Sequence, residues 1–516
     1  MTFVVVVLLA LIFAGLVWRI NKRRSTVRDI VGPPSSSWIL GNMEQFVLPP
    51  RFGEYESAWR KRYGPVYRFK ACFGEDRLMI SDPAALQALV QSSDFVPTPR
   101  ADALTCALCG PRNILSQVGQ SHARLRAGLT PGFTAAATRR YQPIFEKVAL
   151  TISEKLNAYE GKSTNMCSLL SVAAFDAIAE AVFGNSTESL DPEFVDVNLK
   201  VAHMATGRSK GTIIVEGILD YLPKELCRKI INLPSKGLDL LRTQTRLATS
   251  EGHRIVQEKL DAAQQGLERG NDVFDLLLFP ENSNTKESLN AEDIIGQMSF
   301  LMLAGGETTS NTLAFGLVEL AKDVELQEKL RAEIHAAFSA RPVSLAYDSL
   351  PLLNAFIKET LRLYPVIPTA ERMVVADTII PLSDPITLRN GRSIQQIPVR
   401  KGQIVVIGIG SYQMLESIWG ADADVFRPSR WLDGTVHRGE AIGPYASLLT
   451  FLGGIRTCLG WRIAVLEMQV FLCELLAKFS FALAPDHVLG IQHATILQPV
   501  DSAGEKSVEM IVSRIS

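Results

Sequence analysis

The chain has few cysteines for its length, no surplus of charge and no repeated or low-complexity segment, and each shortage removes a class of protein. Seven cysteines among 516 residues, scattered and odd in number, do not make the dense pairs of a disulfide-stapled secreted domain, so a reducing compartment is expected. Lys and Arg number 53 against 54 Asp and Glu, a formal net charge of -1. That balance offers no global basic field for nucleic acid and no acidic tail. No His, Asp or Glu cluster has the spacing of a separate metal site, and Cys106-Ala-Leu-Cys109 is a lone C-x-x-C without a second pair. No Gly/Ser linker or internal repeat divides the chain. What is abundant is apolar material, 47% of residues, enough for one large core, and the expected partners are apolar rather than polyanionic.

The apolar run begins at once. Phe3 to Trp18 carries no charge and as a helix would extend about 24 Å, slightly short of a hydrocarbon layer of roughly 30 Å. Trp18 and Arg19 suit the interface, and Lys22, Arg23, Arg24 and Arg28 follow. The basic flank lies downstream rather than upstream, which argues for an uncleaved anchor rather than a cleaved leader and puts the remainder in the cytosol. Residues 1–20 are therefore read as a transmembrane anchor, 21–37 as a basic linker stiffened by Pro33-Pro34 and three serines, and 38–516 as the catalytic domain. On that topology the sequon at Asn185 stays unglycosylated.

Helical periods dominate the body, with short strands expected at Val66 to Phe69, Arg77 to Ser81 and Gln403 to Ile409. A hairpin, Ile386 to Arg389 with Ser393 to Val399, is expected to turn through Asn390-Gly391 in type I′ geometry. The pattern is mainly α with small β-sheets.

One loop stands out near the C-terminus, Phe451-Leu-Gly-Gly-Ile-Arg456-Thr-Cys458-Leu-Gly460. A cysteine there is framed by Gly453, Gly454 and Gly460, which let backbone approach a flat ligand, and by a cation beside the sulfur. A lone buried cysteine is ordinarily just a small hydrophobe; five fixed residues at fixed offsets are a stronger signal. A second segment is a helix expected over Ile294 to Leu320 and interrupted by Ala304-Gly305-Gly306-Glu307-Thr308-Thr309-Ser310. Two glycines cost a helix about 1 kcal/mol each relative to Ala, so close approach of another group should explain them, and the hydroxyls can bond back to carbonyls. The pattern E-x-x-R occurs at Glu225/Arg228, Glu251/Arg254, Glu328/Arg331 and Glu359/Arg362, and most copies need be no more than solvated ion pairs.

With A-G-G-E-T-T, E-x-x-R and F-x-x-G-x-R-x-C-x-G met in that order along it, this chain resembles the haem-thiolate monooxygenases of the cytochrome P-450 family, in the membrane-anchored eukaryotic, fungal style. The resemblance runs from the anchor to Gly460. It implies that Cys458 is the axial ligand of haem b iron, with Phe451, Gly454, Gly460 and Ala304 against the cofactor. His122 and Arg126 (i, i+4 on a helix), Arg372 and Arg456 would hold the propionates. Thr308 would be the hydrogen-bonding alcohol at the oxygen site and Glu307 its proton source. Glu359, Arg362 and Arg430, the last in Phe426-Arg-Pro-Ser-Arg430-Trp431, would form a structural network. Gly305, Val366, Ile367, Thr369 and the Phe95 to Leu108 loop would meet substrate.

The implied activity is insertion of one atom of O₂ into a hydrophobic small molecule, such as a terpenoid or other secondary metabolite. Electrons would come from NADPH through a membrane-bound reductase, with cytochrome b5 as a further donor, at the endoplasmic reticulum membrane. Two other readings stay open: a reductase-independent haem-thiolate isomerase or dehydratase, and a non-enzymatic haem-binding membrane protein. The intact Glu307-Thr308 pair speaks against the first of these.

Overall fold

The computed structural model describes residues 25–203, 209–231, 236–280, 289–340, 346–436, 441–493 and 496–515. The anchor assigned to 1–20 lies outside them. Within the stretch assigned as linker, Val27 and Ile30 are fully buried, and Val31 accepts a hydrogen bond from the Arg68 amide.

The chain forms two compact units. The first draws on described residues within 25–104, 209–231 and 369–412. Its five-stranded sheet pairs Val66–Lys70 with Asp76–Ile80 and runs through Ile404–Gly408 and Thr369–Val374 to Phe95–Val96. Asp76–Ile80 and Ile404–Gly408 are buried along their whole length, and lie parallel to each other. That fits the continuous rather than alternating apolar character of residues 78–80 and Ile404–Gly408, while the buried Asp76 and Arg77 are held in ion pairs. The Trp59, Tyr67, Phe69 and Met79 side chains close the core beneath the sheet.

A second sheet in this unit is the hairpin Thr378–Thr387 with Ser393–Val399. Its turn differs from the type I′ expectation. Only Gly391 has a positive φ, at 82°, and Asn390 does not; Leu388 and Arg392 still exchange a backbone bond. The loop therefore has three residues, with glycine in the left-handed position, the geometry that goes with a type I turn and bulge.

The second unit, from 105–207, 232–368 and 413–516, is mostly helical. Its centre is the Met298–Lys322 helix, buried along most of its length. It starts four residues later than expected, because Ala291–Ile295 forms a separate capped turn. Gln297 then spans the break, donating to the Arg112 and Asp293 carbonyls and accepting from the Ile114 amide. Against it packs Met166–Phe183, capped by the Asn165 side chain at one end and by left-handed Gly184 at the other. The two glycines serve this crossing: a Cβ at Gly305 would sit 2.5 Å from Ile178, and at Gly306 the Phe175 backbone is 3.6 Å away.

Among the described residues Met166–Phe183 is the one helix long and apolar enough to cross a membrane, but 72% of it is buried in the protein. It is a core helix.

Candidate active site

Cys458 leads into the Trp461–Lys478 helix, whose N-cap is Gly460. Its amide donates to the Phe451 carbonyl at 2.8 Å, closing the loop. Of the three glycines expected to need unusual backbone, only Gly454 does, at φ 57°. Gly453 is extended and Gly460 has φ -86°. The other left-handed position is Leu452, at φ 53°. This is strain that a branched residue accepts only where its surroundings impose it. Phe451 is buried in an aromatic group with Tyr445 and Trp461.

Cys458 is exposed as a residue, although the protein around its sulfur is dense enough for burial to push the thiol up. The Gly460 N–H and the Arg126 charge pull in the other direction. A sulfur at a helix N-terminus with a cation nearby is set up to be a thiolate.

The cations near that loop are satisfied by backbone carbonyls. The Arg126 Nη1 donates to the Thr457 carbonyl at 2.7 Å, and the Arg456 Nη2 to the Gln117 carbonyl at 2.5 Å. Among the described residues neither forms an ion pair with a carboxylate. His122, on the Gly119–Leu129 helix, is buried and its ring is pushed down to about 4, by burial first and then by Arg456 and Arg126. Two partly buried guanidinium groups with only carbonyls to satisfy them, beside a neutral imidazole that can still donate one hydrogen bond, make a place for an anion. Arg372 lies on the strand Thr369–Val374, and its Nη1 donates to the Glu371 carbonyl.

On the Met298–Lys322 helix, Leu303, Ala304, Gly305 and Thr308 are half-exposed between fully buried turns. Ala304 and Thr308, four apart, share one face, and the Thr308 hydroxyl donates to the Ala304 carbonyl at 2.7 Å. Because Ile178 fills the space beside Gly305, residue 305 can meet a ligand only through backbone. Glu307 lies on the buried side, its carboxylate bound 2.5 Å from the Lys506 ammonium. Sequence reasoning missed Lys506, which is 199 positions away. Val366 is buried and its carbonyl accepts from the Leu497 amide; Ile367 is 42% exposed, and Thr369 opens a strand of the first unit.

Of the E-x-x-R copies, Glu359/Arg362 alone is closed to solvent at both residues, each at 0%. Arg254 is 39% and Glu328 61% exposed in theirs. Arg430 also reaches Glu359, at 2.9 Å. The Trp431 indole and the Arg427 amide complete the shell, and Gln413 links Arg362 to Thr450, next to Phe451. Trp431 and Gln413 are further members that sequence reasoning did not single out.

The sequence model of the family described as Cytochrome P450 matches residues 31–502. The chain belongs to the cytochrome P450 family. This P450 is 30% identical to cytochrome P450 monooxygenase 91 of Postia placenta over 98% of each chain. It is 29% identical to cytochrome P450 monooxygenase claP of Ampulloclitocybe clavipes, over 91% of this chain and 90% of that one. It is equally similar, at 29% over 91% of each chain, to ganoderic acid synthetase of Ganoderma lucidum. It is a P450 monooxygenase, and the family carries a haem-thiolate cofactor served by a redox partner, a substrate and O₂. The residues present fit that cofactor: an exposed cysteine at a helix N-terminus, and arginines that, among the described residues, lack carboxylate partners.

Proposed function

We propose that this P450 inserts one oxygen atom into a hydrophobic small molecule, by hydroxylation or epoxidation, with a terpenoid or other secondary metabolite as the class to test first. Electrons come from NADPH through a membrane-bound reductase, with cytochrome b5 as a second donor. The anchor at 1–20 holds the catalytic domain, 38–516, on the cytosolic face of the endoplasmic reticulum. The name of the Ganoderma relative, which speaks of ganoderic acid, supports looking among such compounds.

The single observation that carries the reading is the exposed Cys458 beside two arginines that, among the described residues, have carbonyls and no carboxylate as partners. Cys458 is the axial ligand. Arg126, Arg456, His122 and Arg372 receive the propionates, while Phe451, Gly454, Gly460 and Ala304 border the ring. When bound, the haem supplies O₂ activation and the oxidation itself, with the thiolate pushing electron density to favour O–O cleavage. The protein orients, excludes water and manages protons. The Thr308 hydroxyl holds a hydrogen bond at the oxygen site, and Glu307 supplies protons to it. Val366, Ile367 and Thr369, with the backbone at Gly305, present an apolar wall to the substrate. The Glu359–Arg362–Arg430 network keeps the loop under the cofactor in place.

The test is the absorption spectrum of the reduced, CO-treated full-length protein beside Cys458→Ser, followed by turnover of apolar substrates with reductase and NADPH. A strongly red-shifted Soret band that the substitution abolishes is expected. An unshifted band in folded wild-type protein would remove the ligand assignment.

A further inference from the structure

Glu307 has one cation within ion-pair distance among the described residues, and it comes from the far end of the chain. Lys506 follows the strand Leu497–Val500, and its ammonium also donates to the Ser171 hydroxyl at 2.8 Å. Its side chain is 2% exposed. Ser171 in turn lies 3.5 Å from the Ser310 hydroxyl, which donates to the Glu307 carbonyl. Among the described residues, Cys167 on Met166–Phe183 is the further titratable group that senses both members of this pair, and Glu509 on Glu509–Arg514 acts on Cys167 in turn. The Cys167 thiol is pushed up to about 12, by burial first, with Lys506 opposing and Glu307 and Glu509 adding. Cys167 is therefore a neutral neighbour.

A buried pair of this kind is poor evidence for stability, since removing two charges from water costs about as much as their attraction returns. Beside a catalytic alcohol it needs another explanation.

We propose that Lys506 is the positioning residue for Glu307, holding its carboxylate ionised on the buried side of the helix and so setting the pH range in which that carboxyl can supply protons toward Thr308. The inference rests on Glu307 having the proton role given above. Lys506 touches neither substrate nor cofactor; it acts through Glu307. Without the ammonium, a buried carboxyl with no counter-charge takes up a proton and keeps it to higher pH.

Three variants of the full-length holoenzyme test this: Lys506→Met, Lys506→Arg and the double variant Lys506→Met/Glu307→Gln. Infrared difference spectra against wild type are expected to show a new protonated-carboxyl band at neutral pH in Lys506→Met. It should vanish in the double variant, which separates it from the background of the buried Glu467 carboxyl, itself pushed well up by burial. The pH profile of coupling, read as product formed per NADPH, should move to higher pH in Lys506→Met and return in Lys506→Arg. A lower melting temperature with no new band and an unmoved profile would reduce Lys506 to a structural residue and overturn the proposal. If Glu307→Gln alone leaves coupling unchanged, Glu307 has no proton role, and the inference falls with the reading it rests on.

Discussion

Two buried carboxylates of the second unit are built on opposite plans. Glu359 is saturated: two guanidinium groups, an indole N–H and a backbone amide all donate to it, at 2.8 to 2.9 Å. Arg362 and Arg430 spend their remaining donors on the Gln413, Ala423, Val425, Trp419 and Asp422 carbonyls and on the Asp422 carboxylate. Glu307 is held chiefly by one flexible ammonium that it shares with a serine. The difference separates a group fixed in one state from a group able to change partners. A carboxylate with every lone pair taken, from four directions, can neither turn nor accept a proton without leaving several donors unpaired. A carboxylate on a single long side chain can do both.

The largest expected break in this comparison comes from the saturated side. Arg362→Met strands Glu359 and the carbonyls that Arg362 satisfied, and should cost about 3–5 kcal/mol, the usual penalty for removing one partner of a buried pair. Denaturant unfolding reads this directly, and a loss near zero would deny the network its structural role.

Thr308→Ala should do the reverse. Its hydroxyl bonds an i−4 carbonyl that belongs to the helix ladder in any case, so melting should change little, while the fraction of NADPH lost to peroxide rises several-fold. Unchanged coupling would remove the proton role from Thr308.

The smallest effect is expected at a third buried group, where Lys259 bridges Asp272 and Asp275 at 2.5 and 2.8 Å. Asp272 is pushed up from 3.8 to about 7, by burial first and then by its bond with Asp275, against the pull of Lys259. Between those values the folded chain keeps a proton that the unfolded chain has released, so stability falls as pH rises through the window. Asp272→Asn should flatten that slope in melting curves recorded across it. The cap on the Asp275 amide survives, since asparagine accepts equally well there.

What could be read in advance follows the range of the interaction. The Cys458 loop is legible because its parts are neighbours in sequence. The Gly305-Gly306 pair announced a close approach, but not that Ile178 and Phe175 would be the neighbours. Glu359 could be chosen over the other E-x-x-R copies only by the order of motifs around it; nothing local marks it as buried. Lys506 was invisible because its partner is on a helix made long before it. The hairpin turn was misread for a local reason: Asn-Gly favours a two-residue turn, yet the pairing of Leu388 with Arg392 leaves three residues between them. Leu452 shows the converse, a left-handed residue that no propensity would place there.

The burial of Met166–Phe183 also bears on how the protein is made. Its packing partner, Met298–Lys322, leaves the ribosome on the order of ten seconds later at about 5–20 residues per second. Throughout that interval the nascent chain displays a segment with the length and composition of a membrane span, so correct biogenesis requires that the segment stay out of the bilayer until its partner arrives.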